Sequence, residues 1–194
     1  MGKIIVSLNI SLDGIVQDPD GLEEFERGGW FTRNGGKDLA ELGKFLVAEA
    51  LGSTALLLGR RSDEWFATRW TERSGEWADR LNGIPKYIVS STLTEPRWQN
   101  ATILKGDVAT EVSKLKQELD GDIVVYGSTQ LARTLIGQDL VDELRLVLFP
   151  VVVGAGERLF GETLSTQDLR LLETRTLGAG LVLVSYERAR DAAV

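Results

Sequence analysis

The sequence contains no cysteine and no histidine. Without cysteine there are no disulfides, thiolate nucleophiles, iron–sulfur clusters or Cys-ligated zinc sites. Without histidine there is no Ser-His-Asp triad, no imidazole base and few routes to a transition-metal site, so no metal is expected. Long apolar runs are missing too. The longest, Leu146–Val153, is eight residues, against the ~18 needed to span a bilayer. The start, Met1-Gly2-Lys3, leads straight into Ile4–Val6 without a signal core. Gly2 is no myristoylation site, because position 6 is Val rather than Ser or Thr. The expectation is a cytoplasmic protein with no membrane partner. Positive charge is the minority: 22 Lys and Arg against 29 Asp and Glu give a net charge of −7. Such a field repels phosphate backbones, so nucleic acid is not an expected partner. Chemistry must come from carboxylates, hydroxyls, amines or a borrowed cofactor.

What is present is enough for a core. Apolar residues make up 43% of 194, and at roughly 150 residues per domain the chain reads as one domain, 1–194. No linker or repeat divides it. Strands are expected at Ile4–Leu8, Ala55–Leu58, Lys86–Ser90, Ile123–Tyr126, Leu144–Val152, Leu169–Thr174 and Leu181–Tyr186. The nearly unbroken apolar runs at 4–8, 55–58 and 123–125 suit central strands covered on both faces. Leu181–Tyr186 suits a position near an edge.

Helical spacing marks Leu39, Leu42, Phe45 and Leu46, then Val112, Leu115 and Leu119 with Asp107 as N-cap. It recurs at Leu131, Leu135 and Ile136, capped by Ser128 or Thr129 and stopped by Gly137. The order is β, loop, α, β, α, β, β, α, β, α, β, β, β. Early alternation followed by late consecutive strands predicts a three-layer α/β fold with a mixed sheet. Residues 13–36 form one long glycine-rich irregular stretch, either a functional loop or a plain insertion.

Three strand ends carry polar groups. Leu56–Leu58 runs into Gly59, Arg60, Arg61 and Ser62. Tyr87–Val89 runs into Ser90, Ser91 and Thr92. Val124–Tyr126 runs into Gly127, Ser128, Thr129 and Gln130, then a helix. In parallel α/β sheets ligands bind at the carboxyl ends of strands. Glycine lets backbone N–H groups approach an anion, and a helix start adds unpaired donors. Two arginines and several hydroxyls complete a donor set suited to a dinucleotide. Each piece alone is also ordinary turn chemistry. No GxGxxG follows the first strand and no P-loop is present.

Val6–Gly14, Leu58–Ser62, Pro85–Leu93, Val125–Leu131 and Val141–Pro150 leading to Gly154–Phe160 stand in an order that resembles the dihydrofolate reductase superfamily. Within it, the chain is similar to small stand-alone proteins related to the C-terminal reductase domain of bacterial riboflavin-biosynthesis deaminase-reductases. The resemblance implies a dihydrofolate-reductase-like fold: a central, mostly parallel mixed sheet of about eight strands flanked by helices, and NADPH bound across strand ends. Gly59, Arg60, Arg61 and Ser62 would hold the adenosine side and pyrophosphate. Ser90 and Ser91, with Thr92 beside them, would face the 2′-phosphate across from Arg60 or Arg61. Gly127, Ser128, Thr129, Gln130 and Leu131 would pack under the pyrophosphate and nicotinamide ribose. Ser11–Ile15, including Gly14 and Ile15, would line the nicotinamide end, with the following loop as a lid. The family often has Gly-Gly where this chain has Gly127-Ser128, which puts the special backbone geometry of that pair in question. Its usual Thr is Ser62.

Reduction of a C=N or C=O bond also needs a proton. Asp38 loosely matches the acid of dihydrofolate reductases, Glu41 is its neighbour, and Asp13 is fixed by motif. Asp38 equally fits a helix-start charge, and Asp13 a loop-ordering role. A Tyr, a Lys or water are the remaining sources. Trp65 and Phe66 either wall a substrate pocket or belong to the core; Trp30, Trp70 and Trp77 either cover the pocket or a subunit contact. The family implies a homodimer, in which Arg145–Val152 is one strand able to pair between subunits. The expected function is NADPH-dependent reduction of a small-molecule substrate, pterin- or folate-like or riboflavin-precursor-like. The alternatives are a non-catalytic NADPH-binding sensor and a dimeric scaffold.

Overall fold

The computed structural model describes residues 1–161 and 165–189. Its strands form one eight-stranded sheet in the order β4-β3-β2-β5-β1-β6-β8-β7. They are β1 (Lys3–Ser11), β2 (Ser53–Gly59), β3 (Lys86–Val89), β4 (Ala101–Leu104), β5 (Asp122–Tyr126), β6 (Glu143–Phe149), β7 (Leu169–Leu177) and β8 (Leu181–Arg188). The helices are α1 (Trp30–Gly35), α2 (Leu39–Gly52), α3 (Arg60–Trp70), α4 (Glu76–Gly83), α5 (Val108–Glu118) and α6 (Thr129–Gly137), with a 3₁₀ turn at Gly36–Asp38. This is the expected three-layer α/β class, with parallel strands early and antiparallel strands late.

The three nearly unbroken apolar segments are indeed the central strands. Ile4, Ile5, Val6, Leu56, Leu57, Leu58, Ile123, Val124 and Val125 are all fully buried, as strands covered on both faces must be. Departures from the sequence reading have local causes. β6 stops at Phe149 rather than Val152 because Pro150 offers no N–H to the ladder. Two helices, α3 and α4, fill the β2–β3 connection where one was expected; Gly75 at φ 114° separates them. β8, as expected, lies near an edge, one strand in, with β6 and β7 pairing on either side of it. β6 likewise has a neighbour on each side in the sheet, so it cannot pair between subunits.

The chain divides into two compact units, Met1–Val6 with Phe45–Val141, and Ser7–Lys44 with Asp142–Val194. In the first unit β2 pairs parallel with β3 and with β5, and β3 pairs parallel with β4. Its core gathers Ile5, Leu56, Leu58, Phe66, Leu81, Ile84, Ile88, Trp98, Val124 and Tyr126. In the second unit β6, β8 and β7 form antiparallel pairs. There Trp30 is completely buried edge-on against Phe149, its indole N–H donating to the Gln17 carbonyl. It covers neither a pocket nor a subunit contact.

The stretch after β1 is held more tightly than its glycines suggest. The Asp18 carboxylate is 2% exposed and accepts the N–H groups of Leu22, Glu23 and Phe25. Arg27 donates to the Val153 carbonyl, and the Gln17 amide oxygen accepts from Glu157 N–H. A segment tied at both ends in this way is a poor lid.

Two charged side chains are buried inside the first unit. Lys86 is 1% and Asp63 0% exposed. The Lys86 ammonium donates to the carbonyls of Asn82 and Ile84 and sits 4.5 Å from the Trp98 ring centroid. Burial pulls its pKa down to about 8, and the Asp63 charge resists that fall. Unfolded, the same ammonium titrates near its ordinary 10.5. Between those values the unfolded chain holds a proton the native chain lacks, so stability rises with pH across that window. Relative to Lys86→Met, the wild type is expected to gain at most about 3 kcal/mol between pH 7.5 and 10.5. Urea unfolding across that range measures the difference; a constant gap contradicts the buried ammonium.

Candidate functional site

The three strand ends named in the sequence are neighbours on one edge of the parallel sheet. The β2–β3 register sets Gly59 opposite Val89, so Arg60 and Ser90 leave the sheet side by side. β5 enters the same edge from the other side of β2, with Leu56 opposite Val124. A direct bond then joins the ends: Gly59 N–H donates to Ser128 Oγ at 2.9 Å.

Ser128 resolves the departure from Gly-Gly. Gly127 has φ 56° and Ser128 φ 53°, so both residues turn left-handed although one carries a side chain. A left-handed non-glycine residue costs of order 1 kcal/mol unless something holds it. Here Ser128 donates its N–H (2.9 Å) and its hydroxyl (2.7 Å) to Ser62 Oγ, while its own oxygen takes the Gly59 N–H. A Cβ on Gly127 would stand 3.2 Å from Ser62 Oγ, so only that first position demands glycine. The hydroxyl expected to cap α6 makes no cap bond; it stitches β2 to β5 instead.

The result is two adjacent helix starts, α3 after Gly59 and α6 after Ser128. Their first N–H groups have no partner within the helix and carry partial positive charge. Arg60 and Arg61 are exposed on the first turn of α3, with Arg60 3.2 Å from Glu64. Thr129 is half-buried, Gln130 exposed and Leu131 buried beneath them. At the third end, the Ser90 oxygen accepts N–H groups from Thr92 and Leu93. Those bonds fix the oxygen and leave its hydrogen to donate. Ser91 and Thr92 are exposed.

Behind these loops sits a residue the sequence reading missed. Asp63, the fourth residue of α3, accepts the N–H groups of Arg97 (2.7 Å) and Trp98 (3.1 Å). It thereby ties the segment that follows Ser90–Thr92 to the helix that follows Gly59. The signals were faint: an acid three residues before Phe66 on the buried helix face, and a lysine opening an apolar strand. Phe66 packs in the core, 8% exposed and stacked on Trp98 with centroids 5.3 Å apart. Trp65 packs edge-on against Phe66 under the Arg69 guanidinium. Trp70 and Trp77 meet edge to face at 4.4 Å against the same core.

The acids and turn residues of the second unit are occupied with backbone. Burial raises the Asp13 pKa, but the Ser11 hydroxyl and the N–H groups of Val153 and Gly154 outweigh it and hold the value near 2. Asp13 is therefore ionised near neutrality and orders its turn. Gly14 sits at φ 83°. Ile15 is fully buried, its N–H donating to Ser11 Oγ and its carbonyl accepting Ser11 N–H. Asp38 accepts Gly180 N–H at 2.8 Å, and a Cβ on Gly178 would collide with its carboxylate. Asp38 is thus the clamp of the β7–β8 turn. Glu41 forms an exposed pair with Lys44. Asp38→Asn keeps an acceptor at Gly180 and is expected to leave turnover within about threefold, whereas Asp38→Ala loses ~1–2 kcal/mol. A collapse of turnover in the asparagine variant with unchanged melting would restore Asp38 as the acid.

A mixed sheet ending in parallel strands whose carboxyl ends converge on two helix starts defines a dihydrofolate-reductase-like α/β protein. More narrowly, the chain belongs to the family of RibD C-terminal domains, whose model matches residues 2–183. It is 39% identical over 101 residues to the uncharacterized protein YyaP of Bacillus subtilis (strain 168), 52% of this chain and 53% of that one, so this match spans about half of each. The structure of a Shewanella sp. PV-4 protein assigned to riboflavin biosynthesis shares the fold with a TM-score of 0.72 at 20% identity, covering 97% and 99% of the two chains. A dihydrofolate reductase from Enterococcus faecalis, complexed with NADP(H) and RAB-propyl, shares it at 0.64 and 13% identity, covering 97% of each. Among the described residues no helix is long and apolar enough to cross a membrane.

Proposed function

We propose that the chain acts as a single reductase domain that binds NADPH and reduces a small heterocyclic or carbonyl compound, pterin-like or riboflavin-precursor-like. The observation that carries this reading is the Gly59–Ser128–Ser62 stitch, which sets the starts of α3 and α6 together at one sheet edge. The donor set fits the coenzyme. Two helix starts suit a pyrophosphate, and Arg60 and Arg61 with Ser90 and Ser91 suit a further phosphate on the ribose. The family, and the NADP(H) held by the Enterococcus faecalis enzyme on the same fold, support the choice.

When bound, NADPH supplies a hydride to the substrate. The residues of this chain hold its anionic groups by amide N–H and guanidinium, and Ser90 donates its hydroxyl to the 2′-phosphate. With Asp13 ionised and Asp38 clamped, the proton would come from Glu41, a Tyr, a Lys or water.

Titration with NADPH is expected to quench tryptophan fluorescence, since Trp65 lies one turn into α3. Absence of quenching up to millimolar coenzyme would end this reading and favour a scaffold. NADPH oxidation in the presence of pterins, pyrimidines and carbonyl compounds separates an enzyme from a sensor. Binding without turnover across all three classes would leave the sensor.

A further inference from the structure

The aromatic layer against the core of the first unit has a polar defect. Trp70 ends α3 and Trp77 lies in the first turn of α4, each half-buried. Their rings meet edge to face, and Trp77 meets Tyr126 in the same way with centroids 6.5 Å apart. Tyr126 is the last residue of β5, directly before Gly127 and Ser128. One ring therefore separates the tryptophan pair from the strand end that leads into α6.

Both indole N–H groups are buried, and neither has an acceptor among the described residues. Other indoles of the chain are satisfied. Trp30 donates to the Gln17 carbonyl, and Trp98 donates to Asn82 Oδ1 at 2.7 Å. Asn82 also reaches Trp70, but only its backbone: Asn82 Nδ2 donates to the Trp70 carbonyl at 2.9 Å. Buried polar side chains are paired in the large majority of cases. Two unpaired donors in one ring contact cost stability and return none.

We propose that Trp70 and Trp77 recognise the substrate, their indole N–H groups donating to the carbonyl edge of a flat heterocycle that packs in this aromatic cluster. Calling that ring the substrate rests on the reductase reading above. It narrows the substrate class to planar heteroaromatic rings bearing exocyclic carbonyl oxygens.

The chemistry of the cluster selects this occupant. Phe66, Tyr126, Trp77 and Trp70 form one chain of ring contacts, and such a lining suits a flat ring. An indole N–H donates only, so it requires a ligand that accepts. A face of Trp70 is taken by the Arg73 guanidinium, 4.5 Å from its centroid, so the N–H edge is what Trp70 offers instead. A simple open-chain carbonyl compound brings one acceptor and no face to stack. A ring without carbonyl oxygens leaves the buried donors unpaired and is rejected for that reason.

The test reads the indoles directly and needs no turnover. The full chain is labelled with 15N-tryptophan, and its five tryptophans give five indole signals. Trp70→Phe and Trp77→Phe each delete one signal and so assign the pair. Lumazine (pteridine-2,4-dione) is then titrated to millimolar, with and without NADPH. The Trp70 and Trp77 signals are expected to move downfield, as an N–H entering a hydrogen bond does. Those of Trp30 and Trp98, already bonded, are expected to stay in place. Each phenylalanine keeps a flat ring and loses one donor, so lumazine affinity falls about 5- to 10-fold in either variant. If a variant does not fold, 3-benzothienylalanine at the same position keeps the indole outline with sulfur in place of N–H, and the same loss is expected. Indole signals unmoved by lumazine, or an affinity unchanged when the N–H is removed, overturn the proposal. The NADPH titration is separate. Shifts with lumazine in a chain that does not bind NADPH keep this site and end the coenzyme reading; NADPH binding with unmoved indoles does the reverse.

Discussion

Alanine at both Arg60 and Arg61 is expected to weaken NADPH binding about 10- to 100-fold and NADH binding less than about threefold. The two coenzymes differ by one phosphate, so the ratio isolates the residues that contact it. A hydrogen bond to a charged group contributes roughly 1.5–3 kcal/mol, and 1.4 kcal/mol is tenfold in affinity. In a chain of net charge −7 the unfavourable long-range field also has to be offset locally. The fold tolerates the change. Arg60 makes an exposed pair with Glu64 four residues on, a contact worth only a few tenths of a kcal/mol. Fluorescence titration with each coenzyme measures the ratio. Equal losses for both would contradict the 2′-phosphate assignment and shift the arginines to the pyrophosphate.

The convergence of three polar strand ends on one edge of the sheet was legible because it rests on local signals. Apolar runs such as Leu56–Leu58 and Val124–Tyr126 bury completely only as central strands, and glycine followed by hydroxyl residues marks where they end. Parallel pairing then puts the ends on one side without further information. A loop-ordering role for Asp13 was among the readings offered, but the partners of the acids were not legible, for the opposite reason. Asp13, Asp18 and Asp38 are each spent on backbone N–H groups of distant or irregular segments: Val153 and Gly154, Leu22 to Phe25, and Gly180. Sequence gives the charge of a carboxylate but not which orphan amide it satisfies. Ser128 shows the same limit. Its left-handed backbone looked like a glycine requirement, yet Ser62 supplies the bonds that hold it. The strand at Arg145–Val152 looked available to a partner, but the sequence does not say which strands flank it, and β8 pairs along it.

Removing the carboxylate at Asp63 is expected to be the costliest single change in the protein, about 3–5 kcal/mol in urea unfolding of Asp63→Ala. Two terms set that size. The amides of Arg97 and Trp98 lose their acceptor, and a buried donor left unpaired costs ~1–3 kcal/mol. The Lys86 ammonium, 1% exposed, loses the charge that favours its protonated form. The second term can be isolated. Asp63→Leu/Lys86→Met removes both charges at once and is expected to recover about 1–2 kcal/mol relative to Asp63→Leu alone, because no uncompensated charge remains. The amides of Arg97 and Trp98 stay unpaired in both, so the difference reports the electrostatic coupling between Asp63 and Lys86. Coenzyme binding is expected to suffer in Asp63→Asn even where the fold survives. The amide retains one acceptor oxygen but presents a donor where the carboxylate presented its second oxygen, loosening the segment that follows Ser90–Thr92 from the start of α3. NADPH should then lose more affinity than NADH. A drop of under 1 kcal/mol in Asp63→Ala, or equal coenzyme losses in Asp63→Asn, would reduce Asp63 to an ordinary helix-start acid.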